Sequence, residues 1–307
     1  MLRLAHVSDI HLYHPQARWG LRDWFNKRLP GWLNLRLLRR GRLFRDSVAV
    51  LRALVADVYE RQPDCLLFSG DATSLGFEEE FALAADLLRV GRPDGLPAFA
   101  VPGNHDYYTR RAAASGLFEK YFGPWMEGER VEDHQYPFAR KVGPVTLIGV
   151  NSCTGNIWFW DSTGSISQPQ LDRLRQLLAR PHIAAGPRFL VTHYPIGIAG
   201  GGPEKRNRRL RDLTAALEVA AQGGVAVWLH GHRHHPYHTL PTALIPIPAV
   251  CAGSGTQHGI WTYAEYTFDG EHLRVQRRRY QPTTGRFEPA EAFDLPLAVG
   301  PRSAVPG

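Results

Sequence analysis

The chain has 307 residues, 44% hydrophobic and 21% charged, which is enough apolar matter for a sizeable core and argues against a disordered chain. Its formal net charge is +7, and no uninterrupted apolar run approaches the length that crosses a bilayer. Cys65, Cys153 and Cys251 lie far apart without a CxxC pair, against both a disulfide framework and a thiolate metal site.

The opening MLRLAHVSD reads as a strand from residue 2 rather than as a signal peptide, so the expected compartment is the cytosol. Strand-like runs follow at 65–69, 98–101, 145–151, 189–192 and 225–229. Helical periodicity spans 43–60, 77–90, 168–178 and 210–221. This alternation predicts an α/β fold with a largely parallel sheet. Runs at 243–251, 260–268 and 272–280 follow one another without helices and predict an antiparallel addition, making the sheet mixed or doubled. Residues 282–307, rich in proline and glycine, read as a partly unstructured tail behind a single domain over 1–281.

Polar residues cluster where the strands stop. Ser8-Asp9-Ile10-His11 follows the first, Gly70-Asp71 the second and Gly103-Asn104-His105-Asp106 the third. His193-Tyr194-Pro195 follows the run at 189–192, and His230-Gly231-His232-Arg233-His234 the run at 225–229. Turn-forming propensity explains one or two such clusters. Five such clusters instead deliver Asp, His and Asn to one edge, where parallel sheets bind ligands.

Carboxylate oxygen and imidazole nitrogen without thiolate suit Zn, Mn or Fe. Asp9 and His11 are two apart, as are His232 and His234, so on extended backbone each pair points one way. Six or seven ligands exceed one tetrahedral site. Two ions sharing a carboxylate, roughly 3.5–4 Å apart, would use them.

The ordered set DxH, GD, GNHD, a lone His and GHxH, spread over residues 9–234, resembles the calcineurin-like metallophosphoesterases. The resemblance implies a four-layer α/β/β/α sandwich, with two mixed sheets flanked by helices and a dimetal site at strand ends. It also implies Asp9, His11 and His234 on one ion, Asn104, His193 and His232 on the other, and Asp71 bridging. A water between the ions would be the nucleophile for in-line attack on phosphorus. His105 would stabilise developing charge or protonate the leaving oxygen, and Asp106 would orient it. His230, His235 and His238 read as structural or solvent-exposed, Asn151-Ser152 as a turn or a substrate contact. Asp161 and His258 have no supporting pattern.

Residues 18–45 hold nine Arg or Lys against Asp23 alone, a local net of +8. Trp19, Trp24, Phe25 and Trp32 are interleaved with them. Such a segment suits an anionic membrane surface, the inner face of the membrane for a cytosolic protein, or single-stranded nucleic acid. An amphipathic helical pair with Trp inward and Arg outward fits equally well. A second basic cluster, Lys205, Arg206, Arg208, Arg209 and Arg211, follows the glycines at 200–202 and could bind a substrate phosphate. The expected function is a metal-dependent phosphodiesterase acting on a small or lipid-linked diester. A DNA or RNA nuclease is the alternative, and a non-catalytic membrane-binding scaffold ranks below both because every ligand position is filled.

Overall fold

A computed structural model describes residues 1–200 and 202–297. It contains two mixed sheets flanked by helices, as the resemblance implies. In chain order the strands are β1 (Leu2–Val7), β2 (Cys65–Phe68), β3 (Ala98–Ala100), β4 (Glu129–Arg130) and β5 (Phe138–Val142). Next come β6 (Val145–Gly149), β7 (Arg188–Val191), β8 (Val225–His230) and β9 (Tyr237–Thr239). The last four are β10 (Ala249–Cys251), β11 (Thr262–Phe268), β12 (His272–Gln281) and β13 (Arg286–Pro296).

One sheet runs β13-β12-β11-β1-β2-β3, the other β4-β5-β6-β7-β8-β10-β9. The first pairs β1, β2 and β3 in parallel and the second β6, β7, β8 and β10. Apart from the exposed Arg3 these strands are buried on both faces, and therefore read as largely apolar runs without alternation. β11, β12 and β13 add antiparallel strands to the outside of β1.

The sheet takes in Arg286–Pro296, so the domain runs past the expected boundary at 281 into the stretch read as a partly unstructured tail. Most of β13 is exposed, and its prolines, Pro289 and Pro296, are tolerated on a sheet edge, so the charged and proline-bearing sequence hid the strand. Residues 298–307 of that tail lie outside the described residues. The run at 243–251 contracts to Ala249–Cys251, and β4, β5 and β9 had no prediction.

The basic insert folds as a short 3-10 turn (Leu21–Phe25) and the helices α1 (Arg28–Leu37) and α2 (Arg39–Leu43), leading into α3 (Ser47–Arg61). Leu35, Leu75 and Phe77 form a small separate core on which Trp19 and Trp32 pack. Trp24, Phe25, Leu37 and Leu38 instead face solvent. The inward-Trp expectation therefore holds for two of the three tryptophans. Arg28 fastens the insert to the body: its guanidinium donates to the carbonyls of Leu75 and Gly76 and to Asp23. Among the described residues no helix is long and apolar enough to cross a membrane.

Candidate metal centre

Asp9, His11, Asp71 and Asn104 stand on loops leaving β1, β2 and β3 of one sheet. His193, His232 and His234 stand on loops leaving β7 and β8 of the other. The two sheets therefore meet where these loops converge, at the carboxyl ends of their parallel strands. The structure brings together all seven of the predicted residues.

The backbone bends sharply to do so. Asp9, His11, Asp71, His232 and His234 all have positive φ, from 42° to 68°. Asp and His enter this region more readily than most residues, yet each instance costs of order 1–3 kcal/mol that the surrounding structure must offset. Two motif glycines are explained by close approach. A Cβ on Gly231 would lie 1.9 Å from Ser8 Oγ, and one on Gly103 would lie 2.1 Å from the amide nitrogen of Asp71.

Ligand atoms of Asp9, His11, Asp71 and His234 all lie within 4.8 Å of one another. Nε2 of His11 and Nε2 of His234 are 3.1 Å apart. Nδ1 of His11 faces the carbonyl of Thr73, and Nδ1 of His234 faces Oε1 of Gln257. A proton on each Nδ1 would leave two bare Nε2 lone pairs confronting one another, although Arg40 Nη2 also lies 3.3 Å from His11 Nδ1. The other half uses the same residue types. Nδ1 of His193 faces the Ser69 carbonyl at 2.8 Å, while its Nε2 faces Oδ1 of Asn104 at 3.0 Å. Asn104 Oδ1 also meets Nδ1 of His232 at 2.9 Å. Asp71 Oδ2 lies 3.4 Å from His11 Nε2 and 3.4 Å from His193 Nε2.

Charge tells the same story. Burial raises the Asp71 carboxyl, but His193, His105 and His11 together hold it well below the usual range. Burial lowers His193, but Asp71 and then Asp9 outweigh it and bring the ring up to about 9. The Asp9 carboxyl is pushed up by desolvation despite His234, and its Oδ1 is buried without a hydrogen-bond partner. Imidazole, amide and carboxylate ligand atoms crowded around a buried carboxylate oxygen without a partner are a cradle for cations. The donor set, two carboxylates, four imidazoles and one amide oxygen, fits borderline divalent or trivalent ions.

His105 lies beside this cradle. Its Nδ1 faces the carbonyl of Ser74 at 2.7 Å, and Nε2 lies 3.1 Å from Nη2 of Arg40. Burial, then the Arg40 guanidinium, hold the ring well below the ordinary histidine range. Asp106 does not orient His105, contrary to expectation. Its carboxylate accepts the amides of Gly103, Asp71 and Thr73, so it braces two ligand loops against each other. Three backbone N–H groups lie nearer to it than the imidazole, whose orienting partner is the Ser74 carbonyl.

Arg40, Ser74 and Gln257 were missed. Arg40 was one charge among nine, and nothing local marks a carbonyl or a glutamine as a histidine's partner. From the second basic cluster, Arg208 reaches the metal cleft of about 360 Å³, which Arg40 and Arg233 also line. Asn151 and Ser152 serve as turn residues: Asn151 Oδ1 accepts the Cys153 amide, and Ser152 Oγ those of His193 and Tyr194. Asp161 likewise caps the amide of Thr163.

A two-sheet sandwich with a carboxylate–histidine cradle at the strand ends is the arrangement expected of a metal-dependent phosphoester hydrolase. Residues 2–236 match the family model described as calcineurin-like phosphoesterase, and the chain belongs to that family. Over 117 residues it is 31% identical to a probable cyclic nucleotide phosphodiesterase of a Pseudoalteromonas strain, spanning 38% of this chain but only 35% of that protein. Over 221 residues it is 25% identical to a probable glycerophosphodiester phosphodiesterase of Arcobacter nitrofigilis, spanning 68% of this chain and 72% of that one. Among solved structures, a dimetal phosphatase from Danio rerio shares the fold with a TM-score of 0.64 at 12% identity, over 97% of this chain and 99% of that one. A purple acid phosphatase from yellow lupin seeds does so with a TM-score of 0.61 at 12% identity, over 96% and 53%. At that identity the likeness speaks to the fold.

Proposed function

We propose that the protein is a dinuclear metal phosphodiesterase. The observation that carries this reading is the single carboxylate oxygen of Asp71, equidistant from an imidazole of each half-site. Asp9, His11 and His234 would hold one ion, Asn104, His193 and His232 the other, with Asp71 shared. When bound, such ions, Mn, Fe or Zn, lower the pKa of water and neutralise charge developing on phosphorus.

The chain's own residues supply the remainder. Arg40, Arg208 and Arg233 line the cleft and offer planar donors to a phosphate. His105, fixed by the Ser74 carbonyl, presents Nε2 to the same space beside Arg40. The relatives named as phosphodiesterases support a diester over a monoester.

The test is hydrolysis of bis(p-nitrophenyl) phosphate against p-nitrophenyl phosphate by metal-stripped protein reloaded with Mn, Fe or Zn. The diester should be the better substrate in at least one metal. Turnover of neither ester, by protein shown to carry two ions, would sink the reading.

A further inference from the structure

An apolar groove of about 500 Å³ opens between the basic insert and the loop at 154–163. Phe25 and Pro30 form one wall, and Ile157, Trp158 and Phe159 the other. Phe25 is 84% exposed, Trp158 57% and Phe159 62%. The second wall is held in place although it faces water. Trp158 stacks on Trp160 with ring centroids 5.0 Å apart, and Phe159 meets Trp160 edge-on at 4.8 Å. Four consecutive apolar residues, Ile157 to Trp160, are thus presented to solvent in a fixed arrangement. Soluble proteins rarely expose such a patch without using it.

Shared lining residues link the groove to the metal centre. Lys27, Pro30 and Phe159 line both the groove and a narrower passage of about 110 Å³. Arg40, Asn104 and His105 line both that passage and the metal cleft. A phosphate at the cradle would therefore have one ester substituent directed along the passage into the groove. Charge narrows the choice of ligand, because Arg22, Arg110 and Arg111 also line the groove. Apolar walls beside cations fit an apolar chain attached to an anion.

We infer that this groove holds an acyl chain of the substrate, so that the phosphodiester cleaved is that of an anionic lipid. The inference rests on the phosphodiesterase reading of the metal centre. Nucleobases would also find aromatic rings here, but Trp158 spends one face on Trp160, and Ile157 and Pro30 offer no π surface. A half-open apolar groove recovers about half the transfer free energy of a methylene, which corresponds to about twofold in affinity for each one added.

The experiment uses the metal-loaded full chain and monoacyl glycerophosphoglycerols with hexanoyl, octanoyl or decanoyl chains, kept below micelle-forming concentrations. Binding is read by calorimetry and hydrolysis by headgroup release. Affinity should rise about twofold per methylene, and Phe25→Asp and Trp158→Asp should each flatten that dependence. Both positions are exposed, and unchanged melting curves would show that the variants fold. Affinity independent of chain length, or a dependence that survives both substitutions, overturns the inference. So does tight binding of an oligothymidylate that both substitutions abolish. If bis(p-nitrophenyl) phosphate is not hydrolysed, the phosphodiesterase reading fails, while the binding series still decides the groove.

Discussion

Asp71 Oδ1 accepts the backbone N–H of His105 at 2.7 Å. The same carboxylate turns its other oxygen toward both half-sites, so the residue beside the cradle and the cradle itself hang on one side chain. Asp71 is in turn held by Asp106, which accepts its amide at 2.9 Å. The left-handed backbone at Asp71 and the absent side chain of Gly103 are what allow two loops to approach this closely.

Asp71→Asn should therefore lose both ions together. The amide keeps an oxygen for the His105 N–H but presents NH₂, a donor, toward the imidazole lone pairs. Metal content after dialysis, measured by plasma mass spectrometry, should fall toward zero at both sites. Retention of one full equivalent would mean that the carboxylate is not shared.

His105→Ala should leave metal content near normal, since both its ring nitrogens face Ser74 and Arg40 rather than the cradle's ligand atoms, while lowering turnover by roughly two to four orders of magnitude. Diesters with poor leaving groups distinguish the two roles available to it. If the ring passes a proton to the leaving oxygen, a methyl ester suffers far more than a nitrophenyl ester. If it serves to hold Arg40 against the phosphate, both suffer alike, and Arg40→Ala reproduces the pattern.

The cradle was legible in the sequence because its chemistry resides in side-chain types at strand ends, and buried parallel strands announce themselves as apolar runs. β1 falls at the predicted residues, and β8 extends one residue past its prediction. What the sequence concealed depends on distant backbone. Asp106 sits next to His105 in the chain, yet serves Gly103, Asp71 and Thr73. The helical pair expected within 18–45 does form, with Pro30 and Gly31 tolerated in the first turn of α1. The passage joining Phe25 to His105 arises from three segments that share no local pattern.

Glu80 gives the stability a pH dependence of its own. The residue is buried in α4 (Glu78–Leu88), and its Oε2 accepts the amides of Leu75 and Phe77 while Oε1 has no partner. Desolvation outweighs those amides and pushes the carboxyl up to about 7. A folded value above the unfolded one means that the native state binds the proton more tightly, so stability falls as pH rises from about 4.5 to about 7 and then levels. The loss is on the order of 3 kcal/mol at 1.36 kcal/mol per unit. Glu80→Gln keeps an acceptor and cannot titrate. The melting temperature of the variant minus that of the parent should grow across this window and be flat above it. A difference independent of pH would show that Glu80 is ionised throughout.

Arg28 should prove to be the joint between the insert and the active loop. Its guanidinium lies 2.8 Å from Asp23 Oδ1, with both side chains about one-tenth exposed, and stacks over the Phe77 ring at 4.1 Å. It also donates to the carbonyls of Leu75 and Gly76, immediately beyond the Ser74 carbonyl that orients His105. Arg28→Ala leaves Asp23 buried without its partner, and breaking such a pair costs about 3–5 kcal/mol. Arg28→Lys restores the charge but not three donors in one plane, so it should recover only part of the loss. Hydrogen exchange should quicken in 20–37 and 73–77 together, and turnover should drop with metal content unchanged. Faster exchange confined to 20–37, with full turnover, would show that the insert is fastened to the body without bearing on His105.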